Sequence, residues 1–164
     1  MRKPGVHVAA LVAVVLLAGC GGVEKKADHR LPDVTLKGLT STSPATSLRK
    51  LRGPAVVNLW ANWCKPCRRE MPIYQEFHVK HPEVDVLGVD WRDPNRESAL
   101  KFAAATGVTY PLVVDPEGSL VKARGLPSLI LLDAKGRIAY QAYVEIKSRK
   151  QLEDLVRKHL GADL

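Results

Sequence analysis

Six residues, Ala55-Val56-Val57-Asn58-Leu59-Trp60, constrain this chain more than any others. They form a mostly apolar run, set off by Gly53-Pro54, with no polar alternation to mark a solvent face. Such a run reads as a strand covered on both sides, in the middle of a sheet. Beyond it the periodicity changes. From Cys64 onward Met71, Tyr74 and Phe77 recur at helical spacing while charged residues fill the other faces. Pro72 has no N–H to give the helix, so a bend is expected about one turn past Cys67. A buried strand thus runs straight into a helix, and the junction reads WANWCKPCRREMP, Trp60 to Pro72.

The flanking segments extend the same alternation. Val34 and Leu36 suggest a first strand, and Ser47 to Leu51 a short helix or turn. Val84 to Val89 is the next strand; Glu97 to Thr106 is the next helix, with Leu100, Ala103 and Ala104 expected inward and Gly107 as its C-terminal cap. Leu112 to Val114 reads as a short strand and Glu117 to Arg124 as a helical turn. Ser128 to Asp133 is a strand, Ala134-Lys135-Gly136 a tight turn, and Arg137 to Val144 the returning strand of a hairpin. A last helix, Arg149 to Leu160, carries Leu152, Leu155, Val156 and Leu160 on one side. Strands alternating with helices, closed by a hairpin and a helix, predict an α/β sandwich around a mixed central sheet.

The first residues need separate treatment. Met1-Arg2-Lys3 is basic, and Val6 to Ala18 is apolar except for His7. That stretch is shorter than the roughly 20 residues of a membrane-spanning helix and has the layout of a secretory signal. It ends in Leu17-Ala18-Gly19-Cys20, which resembles the bacterial lipobox. The resemblance implies cleavage before Cys20 and a lipid on its thiol. Residues 1–19 are then a signal peptide, residues 20–30 a lipidated cysteine with a flexible polar tether, and residues 31–164 the folded domain.

A net charge of +8 invites the question of nucleic acid. The basic residues fall in small groups, such as Lys25-Lys26 and Arg68-Arg69, with no aromatic residues interleaved. A solvated basic surface close to an anionic membrane accounts for them better than a nucleic-acid groove.

With Cys20 taken by lipid, Cys64 and Cys67 are the remaining thiols of the 3 cysteines. A structural zinc site needs about four ligands, and His29, His78, His81 and His159 have no cysteine beside them, so no metal or other cofactor is expected. Closing so short a loop removes little entropy from the unfolded chain, which makes a purely structural staple a poor explanation. A helix N-terminus offers a better one. Unpaired backbone N–H groups and the helix dipole favour the thiolate of Cys64, the species that reacts in disulfide exchange. Cys67 lies one turn on, close enough to close a disulfide. Pro66 sacrifices no hydrogen bond in the first turn and preorganises it. Lys65 adds positive charge. Cys64 would attack a partner disulfide, and Cys67 would resolve the mixed disulfide.

The segment VVNLWANWCKPCRREMP resembles the active-site stretch of the thioredoxin fold, in particular its membrane-anchored TlpA/ResA-like branch, and the likeness extends over about Leu31 to Leu160. The resemblance implies a thioredoxin-like sandwich. Gly125-Leu126-Pro127-Ser128 matches the family's second active-site segment, which implies a cis bond before Pro127 and a place for Leu126 and Pro127 facing the cysteines. Trp63 is expected to pack beside the site. Asn58 stands where cytoplasmic thioredoxins carry a buried Asp; an amide cannot take the proton of the second cysteine, so Asn58 is expected to be a structural or hydrogen-bonding residue. Glu70, Asp90 and Asp93 are candidate acids by position, although solvated surface charge is the expected state of each.

The same resemblance implies an extracytoplasmic thiol-disulfide oxidoreductase, a monomer tethered by lipid to the outer face of the cell membrane. It would act as a reductase fed by a membrane electron donor, with client protein disulfides such as that of an apocytochrome c during cytochrome c maturation. Two alternatives stay open: an oxidase that introduces disulfides into secreted proteins, or a lipoprotein that holds copper or a thiol client without turnover.

Overall fold

The computed structural model describes residues 29–120 and 125–164 of the chain. The expected signal segment, Cys20 and most of the tether fall outside the described residues, as does the second half of the turn expected at Glu117 to Arg124. Its first half is a plain turn at Pro116 and Glu117. At the other boundary, Arg30 bridges Arg137 in antiparallel fashion, and the carbonyl of His29 accepts the N–H of Ile138 at 2.6 Å.

Among the described residues there are seven strands and three α-helices. The strands are β1 (Thr35–Gly38), β2 (Thr46–Ser47), β3 (Ala55–Trp60), β4 (Asp85–Trp91), β5 (Leu112–Asp115), β6 (Ser128–Leu132) and β7 (Ile138–Tyr143). The helices are α1 (Lys65–Lys80), α2 (Arg96–Thr106) and α3 (Arg149–Leu160), with a single 3-10 turn at Leu48–Lys50. The sheet runs β2-β1-β5-β4-β3-β6-β7. This is the α/β sandwich around a mixed sheet that the alternation of elements predicts, in the thioredoxin-like form that the resemblance implies.

All six residues of β3 are buried, as its composition requires. It pairs in parallel with β4 and antiparallel with β6. Parallel neighbours need a crossover, which α1 supplies between β3 and β4 and α2 between β4 and β5. Each large apolar side chain buried in this way contributes about 1.5–3 kcal/mol, which is why the centre of the sheet dominates the stability of the fold.

On α1 the residues Met71, Tyr74 and Phe77 point inward as expected, and Pro72 lies inside the helix. The inward face of α2 differs from expectation. Ala99, Phe102 and Ala103 are buried, Leu100 is half-buried and Ala104 is exposed. One aromatic ring sets that phase: Phe102 meets Trp60 at 5.6 Å between centroids, and the small alanines follow. The helix begins at an Asn95 cap that accepts the N–H of Ser98 at 2.9 Å and ends at Gly107, whose φ of +65° is left-handed.

Helix α3 buries Leu152 and Val156 and is held to α1 by Glu153. The Glu153 carboxylate accepts from Lys80 Nζ at 3.2 Å, from His81 Nε2 at 2.9 Å and from Arg149. These bonds, together with the sheet, fix the helix whose first turn carries the cysteines.

Candidate active site

Strand β3 ends at Trp60, and the chain turns through Ala61-Asn62-Trp63 to Cys64, which is the N-cap of α1. The turn is closed by the Cys64 N–H, which donates to the Ala61 carbonyl at 3.1 Å. Cys64 and Cys67 form a disulfide with their Cα atoms 5.3 Å apart, and Cys64 Sγ accepts the N–H of Cys67 at 3.3 Å. An N-cap side chain normally accepts such a bond through oxygen; here sulfur takes the position, at the positive end of the helix dipole. Pro66 lies in the first turn, where its missing N–H costs nothing.

Both cysteines are covered in the disulfide form, with 4% of Cys64 and 1% of Cys67 exposed. Cys64 is thus nearly as covered as Cys67 in this state. Trp63 is 53% exposed, and Lys65 is also exposed.

The second segment reaches the same place through the sheet. The bond between Leu126 and Pro127 is cis. Ser128 pairs with Leu59, so Pro127 lies beside Trp60, at the end of the sheet where the chain turns toward Cys64. Leu126 and Pro127 are buried. The Pro127 carbonyl accepts the N–H of Val144 at 3.2 Å, and Ser128 Oγ donates to the Gly125 carbonyl at 2.6 Å.

The three acids are not solvated, contrary to expectation. Glu70 is fully buried, one turn beyond Cys67, and accepts the backbone N–H of Ile146 through Oε1 while Oε2 has no protein partner. Burial pushes its pKa up to about 7, against the opposing pull of the Ile146 bond. Asp90 is also buried, at the position that pairs with Trp60; burial, reinforced by the neighbouring Asp93, raises its pKa to about 8. Asp93 accepts from the backbone N–H of Asn62 at 2.7 Å, from its side-chain Nδ2 at 2.6 Å, and from the Asn95 N–H at 3.0 Å. These acids are buried because segments far away in sequence cover them, which no local pattern reveals.

Asn58 is buried in β3 opposite Gly88 and beside the Tyr110 hydroxyl. Tyr110 itself has its pKa pushed well up by burial. Trp60 is core, and Arg92 stacks over the ring of Trp91 at 4.8 Å. Asn62 and Tyr110 escape the sequence reading. The first becomes visible only through its bonds to Asp93, 31 residues on, and the second stands in an ordinary-looking turn before β5.

The sequence profile of the AhpC/TSA family matches residues 27–141. The chain is 30% identical over 117 residues to the thiol-disulfide oxidoreductase ResA of Bacillus thuringiensis subsp. konkukian, a match that covers 68% of this chain and 66% of that one. It thus spans slightly less than two thirds of that relative's length. Among solved structures, a secreted thiol-disulfide isomerase from Corynebacterium glutamicum is similar at a TM-score of 0.67 with 29% identity, over 80% of this chain and 86% of its own. StoA from Bacillus subtilis is similar at a TM-score of 0.62 with 26% identity, over 76% of this chain and 97% of its own.

Proposed function

The chain belongs to the AhpC/TSA family, and from that premise we propose that it is a thiol-disulfide oxidoreductase whose reacting groups are Cys64 and Cys67. The observation that carries this reading is the Cys64–Cys67 disulfide at the N-terminus of α1, directly after the buried strand β3.

In the reduced protein the Cys64 thiolate attacks one sulfur of a client disulfide. A mixed disulfide forms and the client's other sulfur leaves as a thiolate. The Cys67 thiolate then attacks Cys64 Sγ, the mixed disulfide breaks, and the second client sulfur departs. Two electrons pass to the client and the protein disulfide closes. The backbone N–H of Cys67, which already points at Cys64 Sγ, and the dipole of α1 stabilise negative charge on that sulfur. Cys67 must lose a proton before it attacks. We assign this to Glu70, a reading supported by its position one turn along α1, by a buried oxygen without a partner among the described residues, and by a pKa of about 7, which suits exchange near neutrality. Asn58 contributes hydrogen-bonding capacity at the level of the sheet but no base. Trp63 offers client contact from its exposed ring, and Lys65 adds positive charge.

The finer reading is a reductase, fed by a membrane electron donor and tethered through lipid on Cys20 outside the cytoplasm, with an apocytochrome c Cys-x-x-Cys-His disulfide as client. The basic amino terminus, the apolar run and the Leu17-Ala18-Gly19-Cys20 ending support the tether; the likeness to the TlpA/ResA-like branch supports the client.

Insulin reduction by the full chain, set beside Cys64→Ser and Cys67→Ser, tests the chemistry. Loss of turnover in both variants is expected, with Cys67→Ser retaining a trapped mixed disulfide whose mass identifies the client. Equal turnover in all three would overturn the reading. Equilibration with glutathione decides the direction, since about 30 mV is roughly 1.4 kcal/mol for this couple; a potential above that of glutathione would replace the reductase by a disulfide-introducing oxidase. Detergent partitioning that Cys20→Ala does not change would remove the tether.

A further inference from the structure

Two loops meet at the end of the sheet where the disulfide lies. One joins β3 to α1 and contains Asn62; the other joins β4 to α2 and contains Asp93. Asn62 and Asp93 are 31 positions apart in the chain, yet both the backbone N–H and the side-chain amide of Asn62 donate to the Asp93 carboxylate, at 2.7 and 2.6 Å. The same carboxylate accepts the N–H of Asn95 at 3.0 Å, which ties it to the start of α2. Asp93 is 7% exposed, so this acceptor is withdrawn from water and its bonds face little competition.

Beneath it lies Asp90, 2% exposed, with one carboxyl oxygen that has no partner. Burial first, and then the neighbouring Asp93, raise the pKa of Asp90 to about 8, which favours its protonated form. A protonated Asp90 beside Asp93 has a donor to offer the acceptor that in turn grips Asn62. Asn62 is two residues ahead of Cys64, within a turn whose other closure is the Cys64 N–H to the Ala61 carbonyl. A second tie joins the same two regions: the Arg68 guanidinium of α1 lies over the Phe102 ring of α2 at 4.7 Å.

We propose that Asp93, steadied by Asp90, is a positioning residue that clamps Asn62 and thereby sets the presentation of Cys64 at the N-terminus of α1. The proposal deepens the oxidoreductase reading and rests on it. The clamp touches neither sulfur. It acts by holding the turn so that Cys64 Sγ stays under the Cys67 N–H and the helix dipole; if the turn loosens, the thiolate loses both.

Asn62→Ala is the primary test, because it removes the amide donor without altering charge. In the reduced protein, the alkylation rate of Cys64 by iodoacetamide across pH gives its thiol pKa without requiring any client. Asn62→Ala is expected to raise that pKa and to lower kcat/KM for insulin roughly tenfold, the scale of one lost buried charge-assisted bond. Asp93→Ala should cost less in the Asn62→Ala background than in the wild type, because the side-chain amide bond is common to both changes while the bonds from the backbone N–H groups of residues 62 and 95 are lost only with Asp93. Asp90→Asn keeps a donor facing Asp93 and should retain the wild-type alkylation profile, whereas Asp90→Ala should not. An unshifted Cys64 pKa in Asn62→Ala, or fully additive effects of the two changes, would overturn the clamp even in an active enzyme. A shifted pKa in a protein that reduces no disulfide would instead uphold the clamp and defeat the functional reading.

Discussion

Glu70 and Ile146 are far apart in the chain, yet the carboxyl of the first accepts the backbone N–H of the second, with a sequence separation of 76. The bond anchors α1 one turn below Cys67 to the segment that leads into α3. It also places a carboxyl in a site that strongly disfavours its charged form. One group therefore joins tertiary structure, proton binding and the neighbourhood of the disulfide.

The first prediction concerns this carboxyl. Its pKa rises from 4.5 to about 7 on folding, so the folded state binds the proton more tightly than the unfolded one. Its contribution to stability is complete below pH 4.5 and is lost as pH rises through 7. Glu70→Gln keeps an oxygen for Ile146 but cannot ionise. Urea unfolding between pH 5 and 8 should show the wild type losing on the order of 3 kcal/mol more than the variant. Parallel pH profiles for the two proteins would show that Glu70 does not titrate in this range.

Glu153 has the opposite sign. Its hydrogen bond from His81, followed by Lys80 and the charge of Arg149, lowers its pKa from 4.5 to about 2. The stability it contributes is present above pH 4.5 and is lost as pH falls toward 2. With 7% of the side chain exposed, the carboxylate is the shared acceptor between α1 and α3. Glu153→Gln should cost about 2 kcal/mol at pH 7 and flatten the acid limb of the unfolding profile. An acid limb as steep as the wild type's would assign that slope to another group.

The legible parts of this fold are those specified locally. The bounds of β3 and α3 and the hairpin turn after β6 can be read directly, because a continuous apolar run, a clean helical period and an Asp-Ala-Lys-Gly turn each suffice alone. Asp133 even completes its turn through its own carboxylate, which accepts the N–H groups of Lys135 and Arg137 at 2.9 Å each. The face of α2 is less legible, since alanines on several sides leave the phase open until Phe102 meets Trp60. Within the site, Cys64 and Cys67 are marked by residue type and spacing, and Pro127 by the resemblance of its segment to that of the family. Glu70, Asp90 and Asp93 look like surface charge in sequence, because their burial depends on Ile146, Trp60 and Asn62, which arrive from other elements.

Gly88 supplies a packing prediction. It lies between Asn58 and Leu112 in the sheet, and a Cβ there would stand 2.5 Å from Leu112 Cδ2, 3.1 Å from the Tyr110 ring and 3.2 Å from Trp60 Nε1. Trp60 and Tyr110 are fully packed and have little room to yield. Gly88→Ala should destabilise by about 1–3 kcal/mol through overpacking. Adding Leu112→Ala should fail to restore more than part of that loss, because it relieves one of three contacts. Full recovery in the double variant would place the entire clash on Leu112.

Trp63 separates client contact from chemistry. Its ring is 53% exposed immediately before Cys64, whereas Trp60 is wholly buried three residues earlier. A surface side chain of this kind contributes little to folding, so Trp63→Ala should change unfolding free energy by no more than about 0.5 kcal/mol. If the ring lies against a client polypeptide, its loss should raise KM for insulin several-fold while the rate with a small disulfide such as oxidised glutathione stays near the wild-type value. The small disulfide is the internal control, since it reaches Cys64 without covering the neighbouring surface. Equal losses with both substrates would mean that Trp63 acts on the cysteines themselves, and loss with neither would leave the ring outside the client footprint.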